Sequence, residues 1–217
     1  MKRLIAAVAA GLACLALSGV ARAEDATADT NYWSGDYAQH NTRRSDFTAG
    51  VTLGLVAGAV VGYPNEIGKL GNPDYRAATG AAFGSGTLIW LGGALRDWLT
   101  LGVGASFLEM KGGDLQASGG GALFRIEAYP LFYQGGPWRD LGFVGNFGIG
   151  GMKLSEGSDT RADGGSMSLV GAGAFWEGLR AGHFAFGPGL EYQRLFSQSL
   201  HVDAALVSFR VAVYGGP

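Results

Sequence analysis

Cysteine is nearly absent from this chain: Cys14 is the single one in 217 residues. An internal disulfide and a multi-thiolate metal site are both excluded. Charge is scarce as well. Asp, Glu, Lys and Arg together make 16% of the sequence, against about 25% in an ordinary soluble domain. A soluble fold this poor in charge would struggle to cover its surface with polar groups. Histidine is limited to His40, His183 and His201, and no pair has metal-ligand spacing, so neither a metal nor a cofactor is expected.

The longest apolar run lies at the N-terminus. Lys2 and Arg3 precede an apolar stretch from Leu4 to Leu17, which is too short for a stop-transfer helix. Ala21-Arg22-Ala23 then offers the small residues at −3 and −1 that signal peptidase needs. The sequence therefore predicts a secretory signal over residues 1–23 and a mature start at Glu24. Gly11 occupies the position three before Cys14 where a lipoprotein signal requires leucine or a branched residue, so no lipid anchor is expected. Of the 16 basic residues, Lys2, Arg3 and Arg22 fall in the leader. The remaining 13 face 18 acidic ones, a net charge of −5, which argues against a nucleic-acid partner.

What is abundant is glycine, 39 of 217 residues where about 7% is usual, set in alternating segments. From Phe47 to Tyr63 the odd positions are apolar, among them Val51, Leu53, Leu55 and Val61. The even ones are mostly Gly or Thr, from Thr48 and Gly50 to Gly62. Successive side chains of a strand point to opposite faces, so this is a transmembrane strand with its apolar face to lipid. Gly50, Gly54, Gly58 and Gly62 also recur every four residues, as on a helical small-residue face. The segment is short for a spanning helix, however, and glycine with β-branched residues makes a poor one.

The alternation repeats over 98–109, 121–132, 140–152, 167–177, 184–196 and 201–214. In 78–94 its phase is blurred around Gly84 to Trp90, as a bulge would do. Eight strands result, the even number of a closed bacterial barrel. The expected fold is an all-β, eight-stranded antiparallel transmembrane β-barrel of up-and-down meander topology, spanning 46–217. Residues 24–45, polar and without period, are expected to form a flexible periplasmic lead-in. Leu95-Arg96-Asp97 is a tight turn, and the stretches near 64–77, 110–120 and 153–165 are expected to be long outer loops. Arg96-Asp97-Trp98-Leu99 and Trp138-Arg139-Asp140-Leu141 echo one another as a repeated hairpin register.

With the segments FTAGVTLGLVAGAVVGY, DWLTLGVGASF and VSFRVAVY, residues 46–214 resemble the small outer-membrane β-barrel family that includes the OmpA transmembrane domain and OmpX-like porin-family proteins. The resemblance implies an outer-membrane location, contact with outer-membrane lipids and lipopolysaccharide, delivery by the barrel-assembly machinery, and a monomer. Two departures stand out. No peptidoglycan-binding domain is expected after the barrel, and Tyr214 is succeeded by Gly215-Gly216-Pro217 where the family ends on an aromatic residue.

Phase also places polar residues inward. Arg125 and Glu127 share one strand face, and Glu191, Gln193 and Arg210 face the same lumen from the last two strands. An Arg turned to lipid at midplane costs roughly 2–4 kcal/mol, which supports the inward placement. An eight-stranded barrel is only wide enough for its side chains to fill. These five residues are therefore expected to form a structural ion network that plugs the lumen, and its loss raises conductance if it is the plug. The alternative is a narrow channel for ions or small solutes. A lipid A-modifying enzyme ranks third, with Ser199, His201 and Asp203 alternating near the outer rim. No catalytic residue is assigned, because Arg partners hold lumen carboxylates ionised. The glycine runs match neither the dinucleotide fingerprint nor the P-loop. The expected role is thus non-enzymatic: structural, in membrane integrity, or in surface interaction.

Overall fold

A computed structural model describes residues 43–134 and 136–215. The signal segment, residues 24–42 of the lead-in, and the last two residues lie outside the described part. Eight long strands run in chain order: β1 Asp46–Gly62, β2 Ala82–Arg96, β3 Leu99–Gly112, β4 Leu115–Ala128, β5 Leu141–Glu156, β6 Met167–Trp176, β7 Phe184–Phe196 and β8 Leu200–Tyr214. Each pairs antiparallel with the next. β8 then pairs with β1 from Thr48–Tyr214 to Gly62–Leu200, closing the sheet into a barrel. Three short strands, Ala77–Ala78, Asp159–Asp163 and Leu179–Ala181, extend the ends of β1, β5 and β7.

The alternation read from the sequence sets the two faces. Leu55, Phe83, Ile89, Phe107, Phe147, Ile149 and Val207 are exposed on the outside, while Thr52, Val56, Leu88, Arg125, Asn146 and Arg210 are buried inside. An outer wall this apolar belongs in hydrocarbon, since a soluble monomer rarely exposes a continuous patch beyond a few hundred Å². Closure leaves no sheet edge, and closed barrels and helices are the structures that satisfy every backbone group within a bilayer.

Inward glycines make room for large lumen side chains. A Cβ at Gly50 would lie 2.1 Å from the Trp90 ring, one at Gly142 2.3 Å from the Phe175 ring, and one at Gly173 2.7 Å from Cγ of Glu191. Glycine on one strand and bulk on another is how so narrow a lumen is filled.

Three expectations need correction. First, the blur at Gly84 to Trp90 is no bulge. β2 alternates regularly there, with Leu88 and Trp90 inside and Ser85, Thr87 and Ile89 outside, and the register shift lies at Ala94/Arg96. Apolar residues on the lumen side and hydroxyls on the outer side are what hid the phase. Second, the stretches 110–120 and 153–165 are not open loops. β3 and β4 stay paired out to Gly112–Leu115 around a two-residue Gly113-Asp114 turn, with Gly113 at φ +61°. The β5 hairpin continues likewise into the Asp159–Asp163 strand. Third, the two Arg-Asp echoes are different structures. Asp97 sits in a tight turn, whereas Gly136–Asp140 is a 3-10 helix in a longer connection between β4 and β5.

Candidate functional site: the lumen and its mouth

The lumen holds two layers. Toward the end away from the chain termini it is apolar, filled by Leu88, Leu108, Met110, Met152, Leu169 and Leu195, with others around them. Toward the terminal end it is charged.

In the charged layer, Arg125 forks onto Glu191, with Nη1 and Nη2 each 3.0 Å from one carboxylate oxygen, and its Nε donates to Glu127 at 2.6 Å. Arg210 forks onto Glu127 in turn, and its Nε donates to Glu177. Asn146 donates to Glu191 and accepts from Arg125, and Thr100 donates to Glu127. Such paired, charge-assisted forks are the geometry that lets guanidinium and carboxylate lie together out of water. The Trp90 ring packs against both arginines, its centroid 4.8 Å from the guanidinium carbon of Arg125 and 4.2 Å from that of Arg210.

Of the five lumen residues expected from phase, the structure brings four into one network: Arg125, Glu127, Glu191 and Arg210. Gln193 is buried on the same face, but its Oε1 has no hydrogen-bond partner among the described residues. It lies between Glu191 and Leu195 on the inward face of β7, where the charged layer gives way to the apolar one.

Six further members were not singled out. Glu177, Asn146 and Thr100 lie on the inward face of their segments, so phase was the available signal. Tyr129 and Tyr214 donate to Glu177 at 3.1 and 2.8 Å and stand 3.0 Å apart.

The last member, Arg44, comes from the expected lead-in, and no strand period marks it. It is 1% exposed. Its guanidinium lies over the Tyr129 ring at 3.5 Å and donates to Asp140 at 2.8 Å. Asp97 Oδ1 is 3.6 Å from its Nη1 and Glu177 Oε2 is 3.6 Å from its Nε. Burial works against its charge, but Tyr129, Tyr214, Glu177 and Asp140 more than offset it, so its pKa lies above the ordinary arginine value. Arg43 and Arg180 also pair with Asp140, and Arg139 with Asp97. The two Arg-Asp echoes therefore meet in space, each supplying an aspartate to one mouth.

Six charged groups thus lie buried in the lumen, each no more than 1% exposed: Arg44, Arg125 and Arg210 against Glu127, Glu177 and Glu191. Their formal charges cancel. Every carboxylate is held by arginine, an arrangement suited to stability rather than to proton transfer.

Ser199, His201 and Asp203 do not share a face. Ser199 is buried in the β7–β8 turn, where its hydroxyl donates to the Asp163 carbonyl at 2.7 Å. His201 points outward, and Asp203 accepts from the Tyr192 hydroxyl and pairs with Arg194 at 3.6 Å. No hydrogen bond joins the three. The turn displaces Ser199 from the alternation that an extended strand would continue.

No protein-family model and no curated protein matches the chain. Among solved structures, it is similar to Ail, the attachment invasion locus protein of Yersinia pestis, at 12% identity and TM-score 0.48, over 77% of this chain and 99% of that one. Neisserial surface protein A matches at 13% and 0.46, over 77% and 96%. The outer membrane protein OprG of Pseudomonas aeruginosa matches at 10% and 0.41, over 79% and 98%. The fold rests on the strand register itself: the chain is a closed, eight-stranded antiparallel membrane barrel.

Proposed function

We propose that the protein is a non-conducting, non-enzymatic outer-membrane barrel, monomeric among outer-membrane lipids and lipopolysaccharide, delivered by the barrel-assembly machinery, whose role is structural or one of surface interaction. The observation that carries this reading is the filled lumen, a charge-neutral ionic layer beneath a separate apolar layer. An ion crossing it would have to break buried guanidinium–carboxylate forks and then pass a zone lined mainly by apolar side chains. With both termini on the periplasmic side, the opposite end presents the 63–81 connection and the β3–β4, β5–β6 and β7–β8 hairpin tips. These carry exposed charges of both signs, including Glu66, Arg76, Asp114 and Arg161, a composition suited to a polar partner.

Recording from the refolded protein in planar bilayers tests the reading. Conductance steps in the wild type would favour the narrow channel instead. Lipid A mass profiles with and without the protein should be identical, and a changed profile would restore the enzymatic alternative. The unboiled protein should migrate apart from the boiled one and give a β-type circular dichroism spectrum, whereas a helical spectrum in micelles would remove the barrel altogether.

A further inference from the structure

We propose that residues 43–45 form a strap across the periplasmic mouth, and that the socket receiving Arg44 is a guanidinium site able to take an arginine side chain from an extended basic peptide, filled here in cis. The proposal rests on the barrel reading above and concerns what closes one end of it.

The socket is built from separate parts of the fold. Asp97 comes from the β2–β3 turn, Asp140 from the end of the β4–β5 connection, and Glu177 from just after β6, while Tyr129 supplies the ring face beneath the cation. A flat cation can stack on a ring and direct its edge N–H groups at carboxylates at the same time. An ammonium is a compact point charge and cannot do both. The geometry therefore selects arginine over lysine.

Charge balance gives the socket a demand for a cation. Among the groups no more than 1% exposed, removing Arg44 leaves Arg125 and Arg210 against Glu127, Glu177 and Glu191, a net of one negative charge. The occupant is held by side-chain contacts. The backbone N–H of Arg44 donates to Oδ1 of Asp97 at 3.1 Å, and Nη1 reaches the Asp97 carbonyl at 3.3 Å. Arg43 adds its pair with Asp140, and its carbonyl accepts from Arg180 at 3.3 Å. β1 begins only at Asp46. A strap attached in this way can leave without unzipping a strand, and a second arginine-bearing segment would meet the same donors and acceptors.

Thr48, buried and facing inward beside Tyr214, reports on the strap. In a Cys14→Ser background, Thr48→Cys supplies one thiol for a charged methanethiosulfonate reagent on the refolded barrel. The thiol should react slowly while Arg44 is present. Arg44→Ala and Arg44→Lys should each speed the reaction by about tenfold or more, the scale of losing charge-assisted contacts. Millimolar Arg-Arg amide should slow the Arg44→Ala protein back toward the parent rate, and Lys-Lys amide should not. Arg96→Ala, which removes an exposed arginine at the same end, should leave the rate unchanged.

Parent-like rates in a folded Arg44→Lys protein would overturn guanidinium selectivity. Equal protection by the two peptides, or by neither, would overturn the recognition site. If Arg44→Ala fails to give the unboiled gel band, Arg44→Lys carries the test. If the parent itself lacks that band, it is the barrel reading that fails and not the strap.

Discussion

Arg125→Ala is the sharpest perturbation of the lumen. The casualty is Glu191 more than Glu127. Glu127 keeps both contacts from Arg210 and one from Thr100. Glu191 loses both arms of its fork and keeps only the Asn146 amide at 3.0 Å. A carboxylate left so nearly unpaired in a buried site typically costs about 3–5 kcal/mol. The assay is equilibrium unfolding in urea from vesicles of defined composition, and the midpoint should fall accordingly. Adding Glu191→Gln removes the charge that lost its partner and should return about 1–3 kcal/mol. Val207→Arg, on the outer face, should cost roughly 2–4 kcal/mol through burial in lipid and gain nothing from Glu191→Gln. A midpoint for Arg125→Ala within about 0.5 kcal/mol of wild type, the range of an inconsequential surface change, would refute the network. Equal rescue of Arg125→Ala and Val207→Arg would refute the assignment of faces. Because an apolar layer lies beyond the ionic one, Arg125→Ala should stay electrically closed. The sequence-based expectation of raised conductance treats the network as the whole plug.

Gly54→Ala should destabilise clearly, since its Cβ would lie 2.2 Å from the Val207 carbonyl at the β1–β8 seam, whereas Gly145→Ala on the outer wall meets nothing nearer than the Phe147 ring at 3.5 Å; unfolding midpoints compare the two, and equal midpoints would contradict the close approach at the seam. Intact mass of the secreted protein should correspond to a chain beginning at Glu24 with no acyl group, and an acylated Cys14 would reverse that reading. Trp90→Ala should lower stability by about 3–5 kcal/mol for a buried Trp, and its emission in the wild type should resist aqueous quenchers, because the ring lies inside against Arg125 and Arg210; rapid quenching of a single-Trp90 variant would place the ring outside.

How far the sequence could be read depended on whether a residue obeys the strand period. Arg125, Glu127, Glu191 and Arg210 sit in clean alternation, so their common face followed from counting by two. That they form forks did not follow, because the count fixes a face but not a height. The registers Arg125↔Asn146 and Gln193↔Gly171 come from pairing between strands. Glu177 had the right phase, yet only the position of Arg210 shows that it completes the network. Arg44 had no period to betray it: its burial is decided by Asp97, Asp140 and Tyr129, far away in the chain. β2 was blurred for the opposite reason. With Leu88 and Trp90 inward and Thr87 outward, its hydrophobicity no longer tells lumen from lipid.

That blurring bears on what the lumen is for. A channel needs a polar inner wall along its whole length, and then every strand would alternate as plainly as β1 does. Here the bulky apolar residues turned inward at Leu88, Leu108, Met152 and Leu169 make a core of the soluble kind inside a shell of the membrane kind. The chain thus buries apolar surface on both sides of one sheet, against lipid outside and against itself inside. The ionic layer adds what an apolar core lacks, a requirement for specific partners. Arg125 satisfies Glu191 only when β4 and β7 hold their final heights, and Arg210 satisfies Glu127 only when β8 has closed onto β1. Register slips of one residue would turn these charges to lipid, so the network excludes the alternative closures that an apolar filling alone would tolerate. By that argument the charges specify which barrel forms, while the apolar layer keeps it shut.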